Sequence, residues 1–150
     1  ALAQRERHLV VGTGNKIEDF GVGFYTKYGD GGVDLSPIAD LTKTEVFSLG
    51  AHLNVLQDIQ KAAPTDGLWG DDRTDEDQLG ATYPELEWAM AWEAQHAAMT
   101  EDVKQRLLHE LPGRQQEVLS IYRRFQGANL HKMQPIPVCK IPESLRVSAG

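Results

Sequence analysis

Residues 8–16, His-Leu-Val-Val-Gly-Thr-Gly-Asn-Lys, decide the reading of the fold. His8 to Gly12 is a short apolar, β-branched run ending in glycine, the pattern of a buried strand in a parallel sheet covered on both faces. Gly12-Thr13-Gly14-Asn15 is turn chemistry, and Lys16 to Phe24 reads as a short helical stretch. In open α/β sheets, ligands bind beyond the carboxyl ends of parallel strands. A Gly-Thr-Gly turn in that place offers close backbone approach and a hydroxyl donor for a nucleotide. A parallel strand needs neighbours, and only seven residues precede this one. The remaining strands are therefore expected in an N-terminal half that this chain lacks.

Downstream, Thr26–Asp34 carries three glycines in nine residues and reads as a loop. Thr42-x-x-Glu45 is a capping box that opens a helix from Lys43 to Leu53, with Val46, Leu49 and Leu53 on one face. Residues 64–81 lack periodicity and concentrate charge, so a long loop is expected there. The second half reads as helical. Thr82 caps a helix to about Ala98, Thr100 caps Glu101–Glu110, and Pro112 opens a third helix that Gly127 ends. A proline-bearing tail is expected over 128–150.

Composition narrows the function classes. With 41% hydrophobic and 25% charged among 150 residues, the chain reads as part of a globular domain and not as a disordered one. No apolar run approaches the ~20 residues needed to cross a bilayer, and the N-terminus has no signal-peptide pattern. A single cysteine, Cys139, cannot form an internal disulfide, so a cytoplasmic setting is expected. The formal net charge is −7, and residues 66–102 hold eleven acids against Arg73 alone. That balance argues against a nucleic-acid partner. It leaves room for a small phosphate-bearing ligand, for which a few lysines suffice.

Several residues carry chemistry. Glu18, five residues past Thr13, is either a favourable acid at a helix start or a Mg2+ ligand beside phosphates. Lys27 and Asp34 flank the glycine-rich loop and suit a ligand with phosphate and hydroxyl groups. Lys43 sits in the first turn of a capped helix, where cations are disfavoured and a bound anion would be welcome. Removing it is expected to harm activity and spare stability. His8, His52, His96 and His109 show no zinc-site pattern and read as surface or packing residues. Trp88 and Trp92 form an apolar stripe on one helix, and Cys139 has no evident activating base.

GTGNKIE at 12–18, FYTKYGDGGVDLSPIADLTKTEV at 24–46, APT at 63–65, TDEDQLG at 74–80 and the pair His131-Lys132 together resemble the ammonia-dependent NAD(+) synthetases, in order and with matching spacings. The resemblance implies an α/β fold with a Rossmann-like parallel sheet, of the adenine nucleotide α-hydrolase-like class related to ATP pyrophosphatases. It implies ATP- and Mg2+-dependent amidation of deamido-NAD by ammonia, through an adenylated intermediate, to give NAD, AMP and pyrophosphate. It also implies roles. Thr13, Lys43 and Thr65 match ATP-binding positions, and Glu18 matches the metal-binding glutamate. Lys27, Asp34, His131 and Lys132 match positions that hold deamido-NAD. Residues 64–81 match a loop that orders over the site. A homodimer is expected from the resemblance and from the Trp88/Trp92 stripe.

Departures qualify the match. The family's N-terminal Ser-Gly-Gly-x-Asp-Ser phosphate loop and a dinucleotide-contacting arginine are absent. The expectation is thus the C-terminal part of one synthetase domain over 1–150, unable to bind ATP competently alone. The spacing from Glu18 to Lys27 is one residue longer than in some members. Met133 stands where many have arginine. Two alternatives stay open: a non-catalytic nucleotide-binding or dimerisation remnant, and the synthetase domain of a glutamine-dependent enzyme.

Overall fold

Three threonines start helices in the computed structural model, which describes residues 1–146. Thr42, Thr74 and Thr82 each accept from the backbone N–H three residues on, and Glu45, Asp77 and Glu85 reach back to the threonine N–H. Each reciprocal pair satisfies two otherwise orphaned donors. The helices are α1 (Leu2–Glu6), a π-helix (Ile17–Val22), α2 (Lys43–His52), α3 (Gln57–Lys61), α4 (Asp75–Leu79), α5 (Tyr83–Gln95), α6 (Glu101–Glu110), α7 (Gly113–Met133) and a 3₁₀ turn (Glu143–Leu145). The final four residues of the expected tail, 147–150, lie outside the described residues.

The π-helix, α5 and α7 build the core. Ile17 and Val22 from the first meet Tyr83, Leu86, Ala89 and Trp92 from the second and Val118, Leu119 and Tyr122 from the third, with Leu79 and Ala81 closing one side. The π-helix answers the longer Glu18–Lys27 spacing. Its C-terminal amides, Gly23 N–H and Phe24 N–H, both bond back to the Glu18 carbonyl, so the turn widens around one extra residue. Gly23 ends it at φ 65°, and a Cβ there would collide with the Asn129 side chain.

Several expectations need correction. Residues 8–12 are not a strand. Among the described residues the only β pairing is an isolated parallel bridge between Val11 and Leu35, with Leu9, Val10 and Val11 left exposed. The segment 34–35 supplies the one neighbouring backbone, through Asp34 N–H to Val10 O and Gly12 N–H to Leu35 O. Gly127 does not end α7. The helix continues to Met133 because Asn129 Nδ2 donates to Val22 O (2.9 Å) and Lys132 Nζ to Gly23 O and Tyr25 O (2.9 and 2.7 Å). These tertiary bonds outweigh the weak helix propensity of a single glycine. The long loop 64–81 is broken by α4, whose capping box uses aspartate in place of glutamate. Thr100 stands at the N-cap of α6 without a side-chain hydrogen bond.

Candidate functional site

The turn after the 8–12 segment, the π-helix, the glycine-rich loop and the end of α7 enclose a cavity of about 220 Å³. Thr13, Glu18, Asp19, Tyr25, Asp30 and Lys132 supply its polar lining, with Gly12, Gly14 and Gly31 on the backbone side. The turn is narrow because Gly12 is pressed against Ser36 and Val33, where a Cβ would stand 2.8–2.9 Å from their side chains. Asn15, 2% exposed, caps the π-helix by accepting from Ile17 N–H and Glu18 N–H (3.0 and 3.2 Å). That cap aims Glu18 and Asp19 along the cavity wall. Burial, reinforced by the charges of Glu18 and Asp30, pushes the Asp19 carboxyl up to about 6.

Glu18 is the hub of a half-buried polar network. Its Oε1 accepts from Lys43 Nζ at 2.8 Å and from the Tyr83 hydroxyl at 2.6 Å. The Lys43 ammonium also lies 4.7 Å over the Tyr83 ring. The same hydroxyl is 3.1 Å from Asp75 Oδ2. Glu18 Oε2 meets only the distant Asn15 N–H at 3.5 Å. Burial raises the pKa of both Tyr83 and Asp75, the former also through its hydrogen bond to Glu18.

This geometry revises the reading of Lys43. Its charge at the helix start is answered by Glu18 inside the protein, through side chains only 19% and 16% exposed. Lys43 therefore has a structural role, and sparing of stability on its removal is no longer expected.

The other sequence-derived residues fall into separate places. Lys27 Nζ donates to the His131 carbonyl at 2.6 Å, joining the glycine-rich loop to the last turn of α7. Lys132 lines the cavity beside Tyr25, with its ammonium 5.4 Å over that ring. Asp34 stands outside the cavity lining and accepts from Val10 N–H at 2.8 Å. Thr65 also lies outside it, donating to Arg73 O and accepting from Gly67 N–H. Its segment reaches the network indirectly, through Asp75 N–H to Pro64 O. Trp92 is 7% exposed in the core and Trp88 packs against that core, so the Trp88/Trp92 stripe is an internal contact.

Sequence reasoning missed Asn15, Asp19, Asp75 and Tyr83. Asn15 and Asp19 flank Glu18 within one short turn. Asp75 lies in the TDEDQLG segment already singled out, two residues before the capping aspartate. Only Tyr83 gave no signal, since its hydroxyl meets Glu18 across 65 residues of chain.

A carboxylate bound by lysine, beside a Gly-Thr-Gly turn that opens on a polar cavity, defines a site for a phosphate-bearing ligand. The fold around it is shared with synthetases of nicotinamide nucleotides. An NMN synthetase structure from Francisella tularensis superposes with a TM-score of 0.69 at 28% identity, covering 93% of this chain and 50% of that one. An NH3-dependent NAD synthetase structure from Campylobacter jejuni gives a TM-score of 0.59 at 20% identity over 93% of this chain and 48% of that chain, a likeness of fold alone.

Residues 1–135 match the family model described as NAD synthase. The NH(3)-dependent NAD(+) synthetase of Methanococcoides burtonii is 41% identical over 124 residues, 83% of this chain and 44% of that protein. The enzyme of the same description from Syntrophomonas wolfei is 36% identical over 144 residues, 96% of this chain and 49% of that protein. The chain belongs to the NAD synthase family. It spans about half the length of these curated relatives.

Proposed function

We propose that residues 1–150 are the C-terminal part of a single synthetase domain that uses ATP and Mg2+ to amidate deamido-NAD with ammonia. The observation that carries this reading is the Glu18–Lys43 pair, joined at 2.8 Å on the wall of the cavity that opens at Thr13. A carboxylate is a poor electrophile, and adenylation of the nicotinate carboxyl supplies a leaving group. The protein's share in such chemistry is positioning and charge neutralisation.

Thr13, Lys43 and Thr65 are assigned to ATP, and Lys27, Asp34, His131 and Lys132 to deamido-NAD. The Lys27–His131 contact supports a common subsite for the last group. The hard oxygen of Glu18 Oε2, free of short contacts, fits a Mg2+ ligand. Among the described residues no group of three His, Cys, Asp or Glu could hold a metal ion. One carboxylate together with nucleotide phosphates is the usual manner of holding Mg2+. Bound there, Mg2+ would neutralise phosphate charge.

The exposed Leu9, Val10 and Val11 support a parallel sheet completed by the rest of the domain. Exposed Phe47, Leu49, Leu53, Leu56 and Ile59 on and between α2 and α3 support a homodimer, and sedimentation of the complete protein tests it. Among the described residues no helix is long and apolar enough to cross a membrane. We assign the protein to the cytoplasm on its single, exposed cysteine.

The test is pyrophosphate release by the complete protein with deamido-NAD, ATP and Mg2+, followed by ammonium-dependent NAD formation. Glu18→Gln keeps the side chain's size and removes its charge. It is expected to raise the Mg2+ requirement and slow adenylation, leaving deamido-NAD binding without nucleotide little changed. An unchanged Mg2+ dependence would remove Glu18 from the metal site. Absence of pyrophosphate release from the wild type would favour the non-catalytic remnant, and a requirement for glutamine over ammonium the glutamine-dependent enzyme.

A further inference from the structure

The Glu18–Lys43 pair has two further members to which the proposed roles assign nothing. Tyr83, the first residue of α5, is 3% exposed, and its hydroxyl stands 2.6 Å from Glu18 Oε1 and 3.1 Å from Asp75 Oδ2. A phenol has one proton, so only one carboxylate receives it at a time, and the shorter contact identifies Glu18. Asp75 is 7% exposed, and its second oxygen, Oδ1, has no hydrogen-bond partner. A buried acceptor left unpaired is costly and calls for an explanation beyond packing. Asp75 is also tied by its N–H to Pro64 O, next to Thr65.

We propose that Tyr83 is a positioning residue for Glu18: its hydroxyl and the Lys43 ammonium fix Oε1, leaving Oε2 to meet a divalent cation, and Asp75 steadies that hydroxyl. This rests on the reading of Glu18 as a cation ligand. It adds that the ligand's orientation is set from α5 and α4, two elements distant in sequence. Groups that orient a metal ligand from behind commonly govern metal affinity about as strongly as 10- to 100-fold.

Tyr83→Phe keeps the ring under Lys43 and removes only the hydroxyl. The measurement is Mn2+ binding to the complete protein in the presence of ATP, followed by the loss of the free Mn2+ resonance. Affinity is expected to fall about 10-fold or more. A lowered melting temperature with unchanged Mn2+ affinity would make Tyr83 a packing residue and overturn the proposal.

In a Glu18→Gln background the same change should cost no further affinity, because Tyr83 acts through Glu18. An equal further loss there would also overturn it. Asp75→Asn can donate its amide to the phenol oxygen and keep the hydroxyl on Glu18, so its affinity should stay near that of the wild type. Loss in Asp75→Asn together with retention in Tyr83→Phe would make Asp75 itself the ligand and refute the route through Tyr83. Wild-type protein that binds no Mn2+ with ATP would refute the cation reading of Glu18, a result separable from all of these.

Discussion

Lys43→Met is expected to destabilise the protein by about 2 kcal/mol, although a cation leaves a helix N-terminus. The pair it breaks is short, 2.8 Å, and its side chains are only 19% and 16% exposed. Removing one partner of a fully buried pair costs ~3–5 kcal/mol, because the other charge is stranded. Here the residual exposure and the surviving Tyr83 hydroxyl on Oε1 reduce that cost to ~2 kcal/mol. Loss of the ammonium over the Tyr83 ring, at 4.7 Å, adds ~0.5–1 kcal/mol. Relief of the unfavourable charge–dipole interaction returns ~0.3–1 kcal/mol. Methionine keeps the apolar stem, so packing contributes little. At ~2–4 °C per kcal/mol for a chain of this size, the melting temperature should fall by ~4–8 °C. Calorimetry of the complete protein at neutral pH measures it. In a Glu18→Gln background the loss should be smaller, since no charge is then stranded. A melting temperature unchanged or raised by Lys43→Met would refute the structural reading of the pair.

Asp19 gives a pH dependence of defined sign. Its carboxyl loses its proton near 3.8 in the unfolded chain and at about 6 in the fold, so between those values the folded state holds more protons. Stability therefore falls as pH rises through that window, by ~1 kcal/mol once the residue's partial exposure is discounted. Asp19→Asn should flatten the slope between pH 4 and 7 in thermal melts, on the order of the same ~1 kcal/mol, and an unchanged slope would refute it. Gly23→Ala should destabilise by ~2 kcal/mol or more, combining the strain of a positive φ with a collision against Asn129. Urea unfolding midpoints that match the wild type would show that the π-helix and α7 can part without cost.

Those residues also mark where the sequence was legible. Helix starts were readable at Thr42 and Thr82 because a capping box is a local code, with donor and acceptor three residues apart. The same code at Thr74 passed unnoticed because Asp77 replaces the usual glutamate and the surrounding charge suggested a loop. The strand at 8–12 and the stop at Gly127 failed for a different reason. Whether Val10 and Val11 pair depends on neighbouring strands, and whether α7 ends at Gly127 depends on Asn129 and Lys132 finding carbonyls more than 100 residues earlier in the chain. Neither fact is written in the local pattern. Thr13, Glu18 and Lys132 meet at one cavity and Lys43 meets Glu18, so much of the motif-derived set converges in space. Asp34 and Thr65 do not reach that lining.

The extra residue between Glu18 and Lys27 connects these observations. An insertion in an α-helix rotates everything beyond it by about 100° and would turn one flank of the site away. A π-turn absorbs the residue locally, so Glu18 stays on Asn15's cap while Lys27 still reaches the end of α7. The wider turn leaves the carbonyls of Val22 and Gly23 without helical partners, and Asn129 and Lys132 take them. Those bonds in turn carry α7 past Gly127 and bring Lys132 to the cavity wall. The irregular helix and the over-long one are thus a single device. Its physical content is that a backbone defect beside Glu18 is satisfied by side chains from the element that also presents His131 and Lys132.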